Sequence, residues 1–431
     1  MSKLILRKIV FTFIVGFVLL GVGFAYADES SDSIGFDEFV AEVLQKNPEL
    51  EFYQVEVRAA EGLRTTAGLL PNPEAGGSIG QKKVWNEDDE FAAKGRVREL
   101  SIMQTFEWPG TMVLRQAIAD RDIELAKLGL EQFRAGLSAQ IRIKAYQFYA
   151  AREIEKATRG VADHFQGLRK VLLEREPAGL TPLLETRVIE AMDLNIQRKA
   201  SEAAFDAQTA LFDLNRLRGA EPNAELPLRP IKLRFEALEN LETLAELART
   251  NDFEVRTSAA VLFKRDSEVG LAESERLPPV SVGPSFSEED AGERERVMAI
   301  AVSMPLPLWN HNQGNIQTAK ARRSQSEISL EIAKRDAHRR FLEAATVYQM
   351  KLKEMQNWRP DSIQHFKDAA ELADRHYRLG AVPVSVYVDL QTQYLDAMAG
   401  LHATKKEALE AAAQLEILAG KSLSLVHEDN S

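Results

Sequence analysis

The sequence predicts a mainly α-helical exported protein with a small β part, built as two repeats of a helix, a β-hairpin, a very long helix and a further helix. Three observations carry this. Matching words recur at a fixed distance of 201 residues: Trp108 answers Trp309, Gly179-Leu-Thr-Pro182 answers Gly380-Ala-Val-Pro383, and Leu217-Arg-Gly219 answers Leu418-Ala-Gly420. Proline is missing from the whole stretch 111–175, which permits an unbroken rod of about 98 Å. Short alternating segments flank each tryptophan on its N-terminal side, as strands with one apolar face do.

The chain opens with Lys3, Arg7 and Lys8, an apolar run to Phe24, and Ala25-Tyr26-Ala27, where small residues suit a signal peptidase. Residues 1–27 therefore read as a cleaved export signal, with an uncleaved membrane anchor as the alternative. Removing three cations takes the net charge from -11 to -14. That balance excludes a general basic footprint for nucleic acid. The absence of cysteine excludes disulfides and thiolate chemistry.

In the first repeat (28–220) a helix is expected over 37–70, stopped by Leu70-Pro-Asn-Pro73. A hairpin follows at about 74–106, then the long helix 111–175 and a helix over 182–218. A proline-containing linker, 221–236, leads to the second repeat (237–420): helix 237–276, hairpin at about 279–304, long helix 313–378, helix 384–418, and a polar tail, 421–431. Pro360 predicts a kink or local break in the second long helix. Tyr387, Tyr394, Leu401, Ala408 and Leu415 are spaced by seven, as are Leu390, Ala397, Thr404, Ala411 and Leu418, so the last helix carries a coiled-coil seam.

Met298, Ile300, Val302 and Met304 alternate with Ala299, Ala301 and Ser303, and the segments 75–83 and 97–106 alternate more weakly. Four strands cannot close a barrel. Two arrangements stay open from periodicity: a small soluble sheet capping a helical bundle, or strands in a bilayer whose edges pair with other chains.

Asn47-Pro-Glu-Leu50 with Leu70-Pro-Asn-Pro73, Pro305-Leu-Pro-Leu-Trp-Asn-His-Asn-Gln-Gly314 before a long helix, and Tyr377-Arg-Leu-Gly380 with Asp389-Leu-Gln391 resemble the outer membrane efflux protein (TolC-like) family. The Pro-Leu-Pro-Leu-aromatic and Asn-Gln-Gly wording is similar to its heavy-metal (cobalt-zinc-cadmium) branch. The resemblance implies a channel-tunnel: a homotrimer with a 12-stranded outer-membrane β-barrel, four strands per chain, continued by a long α-helical barrel into the periplasm. It further implies a passive export conduit in the outer membrane of a Gram-negative cell, in contact with outer-membrane lipid, that works with a periplasmic adaptor (membrane fusion protein) and an inner-membrane RND-type transporter. The shorter helices would then stack end to end, 37–70 on 182–218 and 237–276 on 384–418.

Family gate residues map onto Tyr377 and Asp389. Val382 and Val386 stand where a basic and an acidic residue are frequent, and Glu185, at the 201 offset from Val386, offers an acid from the first repeat. Adaptor docking would fall on the turns Gly179, Leu180, Thr181, Pro182 and Gly380, Ala381, Val382, Pro383. Trp108 and Trp309 are expected at the periplasmic membrane boundary, where an indole prefers to sit.

Seven scattered histidines show no ligand spacing, Gly76-Gly-Ser-Ile-Gly80 lacks the lysine of a phosphate cradle, and no nucleophile–base set is evident. No catalytic residue, cofactor or bound metal is expected. The competing reading is a soluble periplasmic coiled-coil adaptor or scaffold.

Overall fold

A computed structural model describes residues 34–173, 180–358 and 361–428; the export signal lies outside the described residues. The first repeat holds α1 (Phe36–Lys46), α2 (Pro48–Ala67), β1 (Glu74–Trp85), β2 (Phe91–Phe106), α3 (Thr111–Leu173) and α4 (Leu180–Arg218). After β3 (Leu233–Phe235) come α5 (Leu241–Asn251), α6 (Phe253–Ser274), β4 (Val280–Glu289), β5 (Glu295–Ser303), α7 (Gln313–Gln356), α8 (Ser362–Arg378), α9 (Val384–Ala419) and β6 (Val426–Glu428).

The structure corrects the expected helix boundaries at matched places. The helix expected over 37–70 is two helices. Asn47 ends α1, and its side chain accepts a 2.9 Å hydrogen bond from the Glu49 amide at the start of α2. The helix expected over 237–276 is likewise divided at Asp252, whose carboxylate accepts from the amides of Glu254 and Val255. Each break receives the end of the repeat's last helix. The Asn47 Nδ2 donates to the Leu217 carbonyl at the end of α4, and Gly420, at the end of α9, lies so close to Asn251 that a Cβ would fall 2.5 Å from its carbonyl oxygen. Gly219 and Gly420 both close their helices with positive φ, 70° and 63°. The long helix expected over 313–378 is interrupted between Gln356 and Ser362; Pro360 itself is outside the described residues.

The long rod α3 packs on α2 and α6 along one part of its length and on α4 and α9 along the other; α6 and α9 in turn pack on α7, and α9 on α8. Along α9 the heptad row Tyr387, Tyr394, Ala408 and Leu415 is buried, with Thr404, Ala411 and Leu418. A second, two-stranded sheet pairs β3 with β6, Leu233 opposite Glu428 and Phe235 opposite Val426. The linker 221–236 and the polar tail 421–431 thus close on each other, a pairing too short to show periodicity in the sequence.

The main sheet has the order β1-β2-β4-β5, all antiparallel. The two hairpins are joined through β2 and β4, leaving β1 and β5 as edges. Gly283 permits that junction: a Cβ there would meet the Ile102 carbonyl oxygen at 1.8 Å.

Candidate functional site

The register assigns every strand residue to one of two faces. On one face Ala75, Gly77 and Ile79 stand opposite Ile102, Leu100 and Arg98; Leu100 opposes Phe286, and Val282, Pro284 and Phe286 oppose Val302, Ile300 and Met298. This face is apolar and open: Ile79 is 84% exposed, Met298 86% and Ile300 78%. An apolar surface of this extent on a folded sheet requires a non-aqueous neighbour. The other face carries Gly76, Ser78, Ser101, Thr105, Ser281, Gly283, Ser285, Ser287, Ala299, Ala301 and Ser303. Its polar groups satisfy one another, Ser78 with Glu99 at 3.3 Å, Thr105 with Ser281 at 2.9 Å, and Lys82 with Glu289. Small hydroxyls and glycines leave room on that side for a polar passage.

Just past each hairpin stand the two tryptophans. The Trp108 indole Nε1 donates 2.7 Å to the Pro278 carbonyl, tying the end of β2 to the start of β4, and Trp108 is 39% exposed. Trp309 is 85% exposed beside exposed Leu306 and Leu308.

At the far end of the long rods α8 turns into α9 within five residues. The Gly380 and Ala381 amides donate to the Tyr377 and His376 carbonyls, and Gly380 has φ +70°. Pro383, extended, opens α9. In the first repeat residues 174–179, Gly179 among them, are outside the described residues; α4 begins at Leu180, two residues before the expected start, and includes the backbone of Thr181 and Pro182.

Tyr377 stacks on Tyr387, and Tyr387 packs in turn on Phe165 of α3 at 5.1 Å between centroids. Burial, and secondarily the Glu185 carboxylate, push the Tyr377 hydroxyl pKa up. Asp389 is exposed on α9, and no side-chain hydrogen bond or ion pair among the described residues involves it. Sequence reasoning missed two neighbours. Arg378 is paired with Asp374 at 2.9 Å, and Gln391, not Asp389, is the buried residue of its motif, donating 2.8 Å to the Ala370 carbonyl. The buried Tyr387 hydroxyl lies beside the Asp374 carboxylate; desolvation, and next the Asp374 charge, raise its pKa and keep it neutral.

Midway along the rods, the Tyr146 hydroxyl of α3 lies 3.0 Å from the His402 Nδ1 of α9. Burial lowers the His402 pKa from 6.5 to about 4, so the imidazole that shares this hydrogen bond is neutral. Among the described residues no group of three His, Asp or Glu side chains stands ready to hold a metal, and no helix is long and apolar enough to cross a membrane.

A four-stranded sheet with one apolar and one polar face, joined to a helical part whose longest rod, α3, runs about 95 Å, is the TolC-like fold. Solved structures share this architecture. The open state of the Neisseria gonorrhoeae MtrE outer membrane channel matches with a TM-score of 0.71 at 15% identity, over 90% of this chain and 89% of that one. CusC, in structures describing its transmembrane channel formation, matches with a TM-score of 0.70 at 13% identity, over 90% and 92%. Residues 244–421, nearly the whole second repeat, match the outer membrane efflux protein family. The cobalt-zinc-cadmium resistance protein CzcC of Cupriavidus metallidurans is 27% identical over 285 residues, and the alignment spans 63% of each chain.

Proposed function

We propose that the chain is the outer-membrane channel component of a tripartite efflux pump, a passive conduit that reaches from the outer membrane into the periplasm. The observation that carries this reading is the two-faced sheet with two open edges. Its apolar face suits acyl chains, its polar face suits water, and unpaired edge strands in hydrocarbon cost several kcal/mol for each orphaned backbone group. The edges must therefore pair with further copies.

The helices repeat that asymmetry. On the β1 side α2 exposes Phe52 and Leu63, and α4 exposes Leu194 and Phe205; on the β5 side α7 exposes Ile328 and Met350, and α8 exposes Leu372. Two different apolar flanks on opposite sides make a head-to-tail contact, which closes into a ring. Three copies of four strands give a 12-stranded barrel. A soluble scaffold would leave these surfaces wet.

Energy for transport comes from partners, a periplasmic adaptor docking at the tips around Gly179–Pro182 and Gly380–Pro383 and an inner-membrane RND-type transporter. The likeness to a cobalt-zinc-cadmium resistance protein supports heavy-metal cations as cargo. Tyr377, Glu185 and Asp389 form the periplasmic gate, and Trp108 and Trp309 mark the periplasmic boundary of the outer membrane.

The test is native mass spectrometry of detergent-extracted protein followed by conductance in planar bilayers. Three chains per particle and a water-filled pore are expected. A monodisperse monomer that stays soluble without detergent contradicts the reading.

A further inference from the structure

Beyond the apolar band the same outward face of β1 and β2 changes character. Following β1 toward its tip, Ile79 is succeeded by Gln81, Lys83 and Trp85, and their cross-strand neighbours are Arg98, Arg96, Lys94 and Phe91. Lys83 therefore stands directly opposite Lys94, with Arg96 and Arg98 on the same face, all within about 13 Å of strand beyond Ile79. Like charges directly opposite each other on one face of a sheet are destabilising unless a counter-ion intervenes.

The one acidic strand residue on this face, Glu288, stands opposite Arg98 but forms its ion pairs with Arg294 and Arg296. The ion pairs of this sheet are Lys82 with Glu289, which faces the polar side, and Arg294 and Arg296 with Glu288 at 3.5 and 3.2 Å. They leave the side chains of Lys83, Lys94, Arg96 and Arg98 without a partner among the described residues. The acids nearby are engaged or lie elsewhere: Glu288 already serves two arginines, Asp290 accepts from the Arg96 amide, Glu99 faces the polar side with Ser78, and 87–90 form the turn beyond Trp85. Joined edge to edge as proposed, the next copy's β5 brings Arg296 to the outward face and no outward acid.

Above the cations, Trp85 and Phe91 meet edge to face, centroids 6.4 Å apart, both more than half exposed. Such an aromatic pair marks the level of lipid headgroups. The outward face thus presents, in order, an apolar band, four unpaired cations and an aromatic rim. We infer that this belt of Lys83, Lys94, Arg96 and Arg98 is a docking site for the phosphorylated headgroup of a glycolipid, the lipid A of the outer leaflet. The inference rests on the membrane reading of the sheet. Charge complementarity selects the occupant: phosphate oxygens accept bidentate hydrogen bonds from Arg96 and Arg98, acyl chains continue down Ile79, Leu100, Phe286 and Met298, and the headgroup sugars meet the Trp85–Phe91 rim.

The experiment is native mass spectrometry of the full-length protein in an uncharged detergent, titrated with diphosphoryl lipid A, lipid A stripped of its phosphates, and phosphatidylglycerol. The intact lipid A is expected to bind at least tenfold more tightly than the stripped form and than phosphatidylglycerol. The combined Lys83→Gln, Lys94→Gln, Arg96→Gln and Arg98→Gln variant is expected to lose that preference, and Lys82→Gln to keep it. Should the combined variant fail to fold, the wild-type comparison of intact and stripped lipid A decides alone. Equal binding of intact and stripped lipid A, equal binding of phosphatidylglycerol, or an unchanged combined variant overturns the proposal while leaving the membrane reading intact. Failure to retain any lipid, phosphorylated or not, overturns the membrane reading as well.

Discussion

The Tyr377 and Tyr387 rings lie 5.2 Å apart and only 11° from parallel, so the last turn of α8 is clamped against the first turns of α9 by stacked aromatic faces. Phe165 of α3 holds Tyr387 from the other side. The tip of the second repeat is therefore a packed unit in which Tyr387 is wholly buried and Tyr377 partly so.

That clamp predicts an asymmetry between two substitutions. Tyr387→Ala removes a fully buried ring and should cost about 3–5 kcal/mol. Tyr387→Phe keeps the ring and removes only the hydroxyl beside Asp374, and should cost about 1 kcal/mol or less. Thermal unfolding of the detergent-extracted protein, followed by circular dichroism, distinguishes the two; equal losses would show that the hydroxyl is bonded.

The acids at the tip are predicted to set ion selectivity. Asp389 is exposed and Glu185 only partly covered, so in a trimer each forms a ring of three charges at the mouth. Asp389→Ala should raise single-channel conductance or lower cation selectivity in planar bilayers, and Glu185→Gln should weaken any coupling of the gate to Tyr377. Unchanged conductance, selectivity and divalent-cation block in Asp389→Ala would place the gate elsewhere.

A third prediction concerns pH. The His402 pKa is depressed in the folded chain, so the unfolded chain binds a proton that the folded chain refuses as pH falls below about 6.5. The stability contributed by this group is present above 6.5 and is lost as pH falls toward 4, by at most about 3 kcal/mol. The melting temperature should decline between pH 7 and 5, and His402→Phe should flatten that part of the profile. A profile identical to the wild type would assign the decline to other groups.

The helix breaks make a paired prediction. Asn47→Ala removes both a cap and the donor to the Leu217 carbonyl and should cost about 2 kcal/mol. Asp252→Asn keeps an acceptor for the Glu254 and Val255 amides. Burial raises the Asp252 pKa despite Arg340 nearby, so removing the charge should be tolerated. Denaturant midpoints measure both; a severe loss in Asp252→Asn would show that the Arg340 pair matters more than the cap.

These residues also show what was legible in the sequence. The 201-residue repeat, the rod 111–175 and the alternation of Met298, Ile300 and Val302 are periodic signals, and periodicity survives into the structure. Asn47-Pro48 carried a readable helix-start signal, an N-cap followed by proline, whereas Asp252 had no proline to announce the matching break. The Tyr146–His402 contact joins residues 256 positions apart and the β3–β6 pairing joins three-residue strands, so neither leaves a local pattern. In the candidate gate, the family resemblance pointed to Asp389, but the helix phase buries Gln391 and exposes Asp389, a distinction fixed only by packing on α8.

The central claim is that the sheet separates lipid from water, and the strand β5 tests it residue by residue. The chain contains no cysteine, so single cysteines can be placed without background. In protein reconstituted into liposomes, Ala299→Cys, Ala301→Cys and Ser303→Cys should react with a charged, membrane-impermeant maleimide, while Met298→Cys, Ile300→Cys and Val302→Cys should be protected. Equal labelling of both sets would contradict a shared barrel in the membrane.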